Sequence, residues 1–441
     1  LTDYLELRNH GSDASREILA GVTTFVSAMY IILVNPSILA SAGLPYNASL
    51  TATVLVSAFS SILMGLYTNS PLLVAPGMSL NLMLAQAVVR TQGASYETAL
   101  GCVFYAGLLF LLLMVIDKRR RLILGVPRML RFGLAGGIGL FIALLGLESG
   151  GFIAPVGELG LKLAPFTPRS LTFLAGLAVT SIMVVRKTPG AFLWGAALTT
   201  LMAWPIGRWW PDGAAPGPLV AWQGWWQPPD FSLLARLDLA GAAEIAWWPL
   251  IFVLAFTCLF DTLGTCVGVS EAGDLMDHRG DPRNLGPCIK TGALAVALAG
   301  LAGTSPAVPF IESSTGVRAG GRTGLTAVVA GLLFIPFLFL SPLLSLVPAV
   351  ATAPILVLAG VFMLKPLIYV RWERFDDAIP FFMTMILMPL THSITQGMIW
   401  GCLSWTVLKA ASGKYRQIPP ALLVLDAVAV ALLFHVERFA H

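Results

Sequence analysis

Charge is what this sequence has least of: Asp, Glu, Lys and Arg make up 11% of its 441 residues, where a soluble chain carries about 25%. The missing polar surface excludes an ordinary water-soluble domain, and 57% of the residues are hydrophobic. Cysteine is scarce as well. Cys102, Cys258, Cys266, Cys288 and Cys402 show neither paired nor metal-ligand spacing. That excludes a zinc site and a disulfide framework and leaves them as small buried hydrophobes. The net charge of +4 comes without a concentrated basic footprint, so no nucleic-acid partner is expected. Phosphate loops, nucleophile arrangements and metal-ligand clusters are all missing, which argues against an enzyme, a cofactor, a metal site or an ATP-driven pump. The first 18 residues carry mixed charge and no apolar core, unlike a signal peptide.

What the sequence does have is apolar stretches, one after another. A membrane span takes roughly 17 to 25 mostly apolar residues. Such stretches lie near 17–40, 48–68, 70–92, 97–117, 131–147, 170–185 and 189–207. A second series lies near 244–264, 285–302, 305–320, 323–341, 350–367, 378–390 and 391–409, with a last apolar segment at 419–436. The stretch 378–409 reads either as one long helix or as two short ones. Lys118 to Arg121, Arg128, Arg131, Arg186 and Lys187 fall on one side of this arrangement, which the positive-inside rule makes cytoplasmic, together with the N-terminus. Eight of the twelve tryptophans lie between Trp204 and Trp248. The loop 208–243 therefore reads as an external segment whose rings sit at headgroup depth, with an external gate as the alternative.

That loop divides the chain into halves of about seven spans each. Seven is odd, so the second half starts on the opposite side of the membrane, as in an inverted-topology repeat. The fold expected is thus an all-α polytopic membrane protein with 14 transmembrane segments in two inverted repeats, 1–207 and 244–441.

Two spans should break. The third contains Pro71 and Pro76, the tenth Pro306 and Pro309, and two such prolines cannot both sit comfortably in one helix. Each should form a short extended stretch (72–75 in span 3) followed by a half-helix, starting at Gly77 in the third and carrying Glu312 in the tenth. Backbone groups freed by such breaks cost several kcal/mol each in hydrocarbon. They must face protein, water or ligand, and interrupted spans in matching positions of two halves point to a transport site.

Two acids interrupt apolar segments, Asp261 and Glu312. A midplane carboxylate costs at least about 2.5 kcal/mol on insertion scales and usually faces a cavity. Ionised, it accepts two side-by-side N–H bonds, as a planar heterocycle offers them. A carboxylate that loses water on closure binds a proton more readily, so either acid could couple substrate to a proton. The structural alternative is an acid that ties helices together. Thr23, Thr24, Ser27 and Tyr30 form a polar stripe in the first span that suits helix packing or ligand contact. Asn81 could cross-link half-helices or touch substrate, and Phe260 and Phe310 could stack on a ring or fill the core. His392 and Asp426 carry no assigned role.

The residues also carry a family likeness. Arg16 to Phe25, Met29 to Pro36, Ala75-Pro76-Gly77-Met78, Phe260 to Thr265, Ile311-Glu312-Ser313 and Gly320 to Thr326 occur in the order seen in the adenine/guanine/hypoxanthine permease family of the nucleobase/ascorbate transporter superfamily, which the chain resembles over nearly its whole length. The resemblance implies a core domain (17–117 and 244–341), a gate domain (131–207 and 350–441), elevator-like movement and a homodimer in the bacterial inner membrane. It implies proton symport of purine bases (adenine, guanine, hypoxanthine), with membrane lipid as a further partner. Glu312 and Asp261 match the family's substrate-binding acids and are expected to couple protons. Ala75, Gly77 and Ser79 supply the facing wall, Thr24 and Ser27 the remaining side, with Phe310 and Phe260 as ring contacts. Typical members read Gly-Met-Gly-Leu-Asn-Ala-Tyr where this chain has Gly77-Met78-Ser79-Leu80-Asn81-Leu82-Met83. Another planar base, uracil or xanthine, is the alternative cargo. An anion is disfavoured by the two acids.

Overall fold

The computed structural model describes residues 5–85, 95–116, 127–156, 160–186, 191–206, 226–273, 282–340, 346–391 and 394–419, and the single positions 188, 224, 275, 422, 423 and 426. Among them, seven helical stretches are long and apolar enough to cross a membrane: Ala14–Ser41, Tyr46–Thr68, Tyr96–Met114, Pro168–Val185, Ile245–Ser270, Leu285–Ala302 and Ala349–Tyr369. Ala135–Ser149, Trp194–Ala203 and Gly324–Leu338 are shorter apolar helices.

The helices fall into two bundles. The first comprises α1 (Ala14–Ala28), α2 (Ile31–Ser41), α3 (Tyr46–Thr68), β1 (Val74–Pro76), α4 (Met78–Leu82) and α5 (Tyr96–Ile116). After the second bundle's opening helices and a short α9 (Leu239–Ala242), it resumes with α10 (Trp248–Ala272), α11 (Leu285–Ala302), β4 (Ala307–Pro309), α12 (Ser313–Arg318) and α13 (Gly324–Phe334). The second bundle comprises α6 (Arg128–Ser149), α7 (Pro168–Val185), α8 (Ala191–Ala203), α14 (Ala349–Met363), α15 (Phe375–Thr391) and α16 (Ile394–Ala411). The bundles meet where α1 packs on α8, α2 on α14 and α4 on α6.

Local chemistry sets the ends. Asp13 accepts from the Arg16 amide and starts α1, and Thr167 and Ser170 cap α7 reciprocally with Pro168 in its first turn. Asn69 ends α3 in the left-handed region at φ 48°. Its side chain then donates to Leu5 O at 3.0 Å and accepts from Gly324 N at 2.8 Å, joining three distant segments.

The breaks expected in the third and tenth segments are present. β1 pairs antiparallel with β4, Ala75 opposite Val308, and all six residues are buried. The extended stretch runs to Pro76, one residue past the expected end. Pro76 has no N–H to leave unpaired, and the Gly77 amide closes the ladder on Pro306 O at 3.0 Å. The stretch 378–409 is two helices, α15 and α16, packed on each other. A second small sheet, β2 (Ile153–Val156) with β3 (Gly160–Leu163), was not foreseen in an all-helical reading.

The stretch 208–223 of the tryptophan-rich loop, with Trp209, Trp210 and Trp222, lies outside the described residues, as do Trp225, His392 and most of 419–436. Trp226 is exposed and stacks on Phe339. From Gln227 to Asp238 the chain straps the first bundle's end, its amides donating to Phe339 O, Thr51 Oγ1, Leu301 O and Glu97 O. The five cysteines are free and buried. Asp426 accepts a short bond from Thr406, so it ties the last segment to α16.

Candidate functional site

The β1/β4 pair is the floor of the candidate site. Its backbone is satisfied from both sides: Phe310 N–H donates to Leu73 O at 2.8 Å, Leu73 N–H to Ser313 Oγ at 3.0 Å, and Ser61 Oγ on α3 exchanges bonds with Val74. The strands are thus fixed to α3 and α12. Ala75 lies within β1 and is fully buried. Gly77 follows it, where a Cβ would come within 3.0 Å of Val308 Cγ2. Ser79 lies on α4, but its side chain is outside the described residues.

Behind the strands lies a buried polar cluster from four segments. Asn35 Nδ2 donates to Thr53 Oγ1 at 2.6 Å and to Thr304 Oγ1 at 2.8 Å, while its Oδ1 accepts from Ser305 at 3.0 Å. Ser305 also bonds Asn81 Oδ1. Of the two roles considered for Asn81, its carbonyl performs the cross-link between half-helix and strand. Its Nδ2 is buried with no hydrogen-bond partner.

Glu312 precedes α12, the helix that β4 feeds. Its Oε1 accepts from the Tyr30 hydroxyl at 2.6 Å. Tyr30 occupies the turn between α1 and α2 and is 3% exposed. Its ring lies edge-on to Phe192 of α8 with centroids 5.3 Å apart, and Phe192 in turn meets Phe362 of α14. Tyr30 therefore touches the site acid with one end and the second bundle with the other. Thr315 Oγ1 contacts Ser27 Oγ at 3.0 Å, fixing α12 to α1. Thr24 is fully buried against Gly316, where an added Cβ would collide with its hydroxyl, so it is a packing residue of the α1–α12 contact. Phe310 is buried at the end of β4.

Asp261 lies on α10, which packs against both β4 and α12. Positions 261, 264 and 268 share one helix face. A Cβ at Gly264 would meet nothing within 4 Å, while one at Gly268 would lie 3.3 Å from Ile311 Cδ1. The Asp261 face thus borders open space at Gly264 and meets the residue before Glu312 at Gly268. The side chain of Phe260 lies outside the described residues. Thr262 points the other way, to Gly292 of α11.

Two features escaped the sequence reading. Tyr30 stood there only as one member of a polar stripe, because nothing in its neighbours announces a bond to a residue 282 positions away. Gly264 was one glycine in a recognised motif; its three-residue spacing from Asp261 was the available signal. The described residues contain no group of three or more His, Cys, Asp or Glu able to hold a metal.

Residues 15–399 match the family model described as the permease family. The chain is 36% identical over 435 residues to adenine permease AdeP of Escherichia coli, covering 98% of this chain and 95% of that protein. It is likewise 36% identical over 443 residues to guanine/hypoxanthine permease PbuO of Bacillus subtilis, covering 98% and 99%. Among solved structures, the transmembrane domain of the cyanobacterial bicarbonate transporter BicA superposes with a TM-score of 0.64 at 17% identity, covering 88% of this chain and 97% of that one. That likeness is one of fold.

Proposed function

Because this chain belongs to the permease family, transporters and not enzymes, and is a multi-pass membrane protein, we propose that it takes up purine nucleobases by proton symport across a bacterial inner membrane. The single observation that carries the reading is the placement of Glu312: an acid on the first turn after a broken strand, hydrogen-bonded by Tyr30, with the Asp261 face of α10 reaching its neighbour Ile311 at Gly268. A carboxylate there can accept the paired N–H groups of a ring edge, and the strand and half-helix ends supply backbone groups for the rest. The names of AdeP and PbuO support adenine, guanine and hypoxanthine as cargo.

In this reading the first bundle is the core domain and the second the gate, 14 spans form two inverted repeats, and the core rides against the gate in an elevator-like cycle. The three contacts between bundles would be the sliding surface. The N-terminus lies in the cytoplasm, with the basic residues, and the protein works as a homodimer. Glu312 and Asp261 bind substrate and exchange the coupled proton, with Ala75, Gly77, Ser79, Ser27, Thr24, Phe310 and Phe260 forming or backing the walls. Anion transport, the activity named for BicA, is disfavoured by two acids at the site.

Radiolabelled adenine, guanine and hypoxanthine uptake into proteoliposomes under an imposed inward proton gradient tests the reading. Saturable uptake that collapses with the gradient, and that Glu312→Gln abolishes, is expected. Competition by uracil alone, or bicarbonate uptake without base uptake, would overturn it.

A further inference from the structure

We propose that Tyr30 is a positioning residue that holds the acceptor oxygen of Glu312 until cargo displaces it and reports that displacement to the second bundle through Phe192. The inference rests on the assignment of Glu312 as the substrate acid. Its evidence is separate: one buried side chain makes a 2.6 Å bond to the acid and an edge-on ring contact to α8.

The hydroxyl stands where a ring N–H would stand. A carboxylate has two oxygens, and Oε1 already accepts a charge-assisted bond from Tyr30. A base that uses both oxygens side by side must take Oε1 from the phenol. That exchange is one protein bond for one ligand bond, so it lowers affinity while leaving no buried oxygen unpaired in the empty protein.

The ring cannot move alone. Tyr30 sits in the turn joining α1 to α2, with Met29 N–H on Phe25 O and both Leu33 and Val34 N–H on Tyr30 O. The backbone is therefore held, and the freedom left to Tyr30 is rotation of its side chain. Rotation away from Glu312 changes the face offered to Phe192, whose other side rests on Phe362 of α14. Occupancy at Glu312 and the packing of two helices in the second bundle thus share one rotamer. A ligand shifts such an equilibrium only through different contacts in the two states, and here the differing contact is the phenol bond.

Two variants of the purified full chain test this. Binding of guanine and adenine is measured at equilibrium, and uptake in proteoliposomes. Tyr30→Phe removes the competing donor but keeps the ring, so Kd should fall about three- to tenfold, the worth of one net hydrogen bond, while turnover slows. Phe192→Ala should leave Kd within about twofold and slow uptake at least as much, because the report is lost but the bond is kept. Unchanged or weakened binding in Tyr30→Phe overturns the displacement, and unchanged uptake in Phe192→Ala overturns the report.

A ligand-free arm separates this proposal from the choice of cargo. Amide hydrogen exchange over 191–203 is compared in wild type, Tyr30→Phe, Glu312→Ala and the double variant. Faster exchange in both single variants, with no further gain in the double, is expected. No change sinks the coupling whatever the protein binds; a change in a protein that binds none of the bases supports the coupling and discards purines.

Discussion

Both bundles bring backbones together through glycine, as where a Cβ on Gly324 would stand 1.9 Å from Gly65 O in the first, and they differ in the directional bonds added to that contact. In the first, polar side chains join segments far apart in sequence: Asn35 to Thr304, Asn69 to Leu5 and Gly324, Asn284 to Thr68, and Glu17 to Arg322, Thr323 and Thr326. The second has glycine contacts with fewer such bonds among the described residues. Gly139 and Gly360 bring α6 and α14 together so closely that a Cβ on Gly360 would stand 2.3 Å from Gly139 O. Gly397 and Gly401 do the same for α16 on α15. Directional bonds fix one geometry, as a site needs. Small-residue packing in lipid allows close contact with little directional restraint.

The largest expected effect comes from the exception to that rule. Lys409 of α16, 4% exposed at its side chain, bridges Asp376 and Asp377 at 2.7 Å each and lies 5.4 Å from the Trp405 ring centroid. Lys409→Met leaves Asp377 without a cation and Asp376 with only the half-exposed Lys414, 2.6 Å away, and breaking a buried pair costs up to about 3 to 5 kcal/mol. A large drop in thermal unfolding temperature in detergent is expected; a drop no greater than for an exposed lysine would mean that packing alone holds α15 to α16.

Next in size is Gly360→Ala. Overpacking a close contact costs about 1 to 3 kcal/mol, and here the obstacle is backbone, which cannot rotate aside. The variant should unfold earlier and label faster at α6 in hydrogen exchange, with the first bundle unaffected. Equal loosening of both bundles would break the comparison.

Glu17→Gln probes the first bundle in the same way. The Glu17 carboxylate is fully buried and accepts Arg322 N–H at 2.9 Å, Thr323 N–H at 3.3 Å and the Thr326 hydroxyl at 2.6 Å, capping α13 from α1. The glutamine amide turns a donor toward those donors, and bonds to a charged group are worth about 1.5 to 3 kcal/mol. Lower thermal stability is expected, with exchange rising in 314–326 and not in α15 or α16.

Glu17 also marks the limit of what the sequence makes legible. The broken spans could be read because proline acts on its own backbone, within a turn of where it stands; β1 and β4 follow from Pro71, Pro76, Pro306 and Pro309 alone. Glu312 and Asp261 could be read because charge is conspicuous in an apolar run. Glu17 is fully buried too, yet in sequence it stands beside Arg16 at the edge of the first apolar stretch, where a charge is inconspicuous. Its partners are more than 300 residues away. The same distance hid the Tyr30 bond, whereas β2 and β3 went unpredicted because four-residue strands over Ile153–Val156 and Gly160–Leu163 carry too short a pattern to separate from loop.

The smallest expected effect is a pH dependence, and it belongs to the bundle held by hydrogen bonds. His10 precedes α1, and its Nδ1 lies 2.7 Å from Arg283 Nη1, whose other nitrogen donates to Arg322 O. The guanidinium can only donate, so this bond needs His10 unprotonated at Nδ1. Burial, then the Arg283 charge, push the His10 pKa below its ordinary value, with Glu6 and Glu17 opposing. A histidine with a depressed folded pKa gives stability that is whole above the unfolded value, about 6.5, and that is lost as pH falls below it toward the folded value. The wild type should therefore unfold at a lower temperature at pH 5.5 than at pH 7.5, and His10→Gln, which has no proton to gain, should show less of that difference. An identical pH difference in both proteins would place the acid sensitivity elsewhere and remove His10 from the clasp that joins the N-terminal segment to the first bundle.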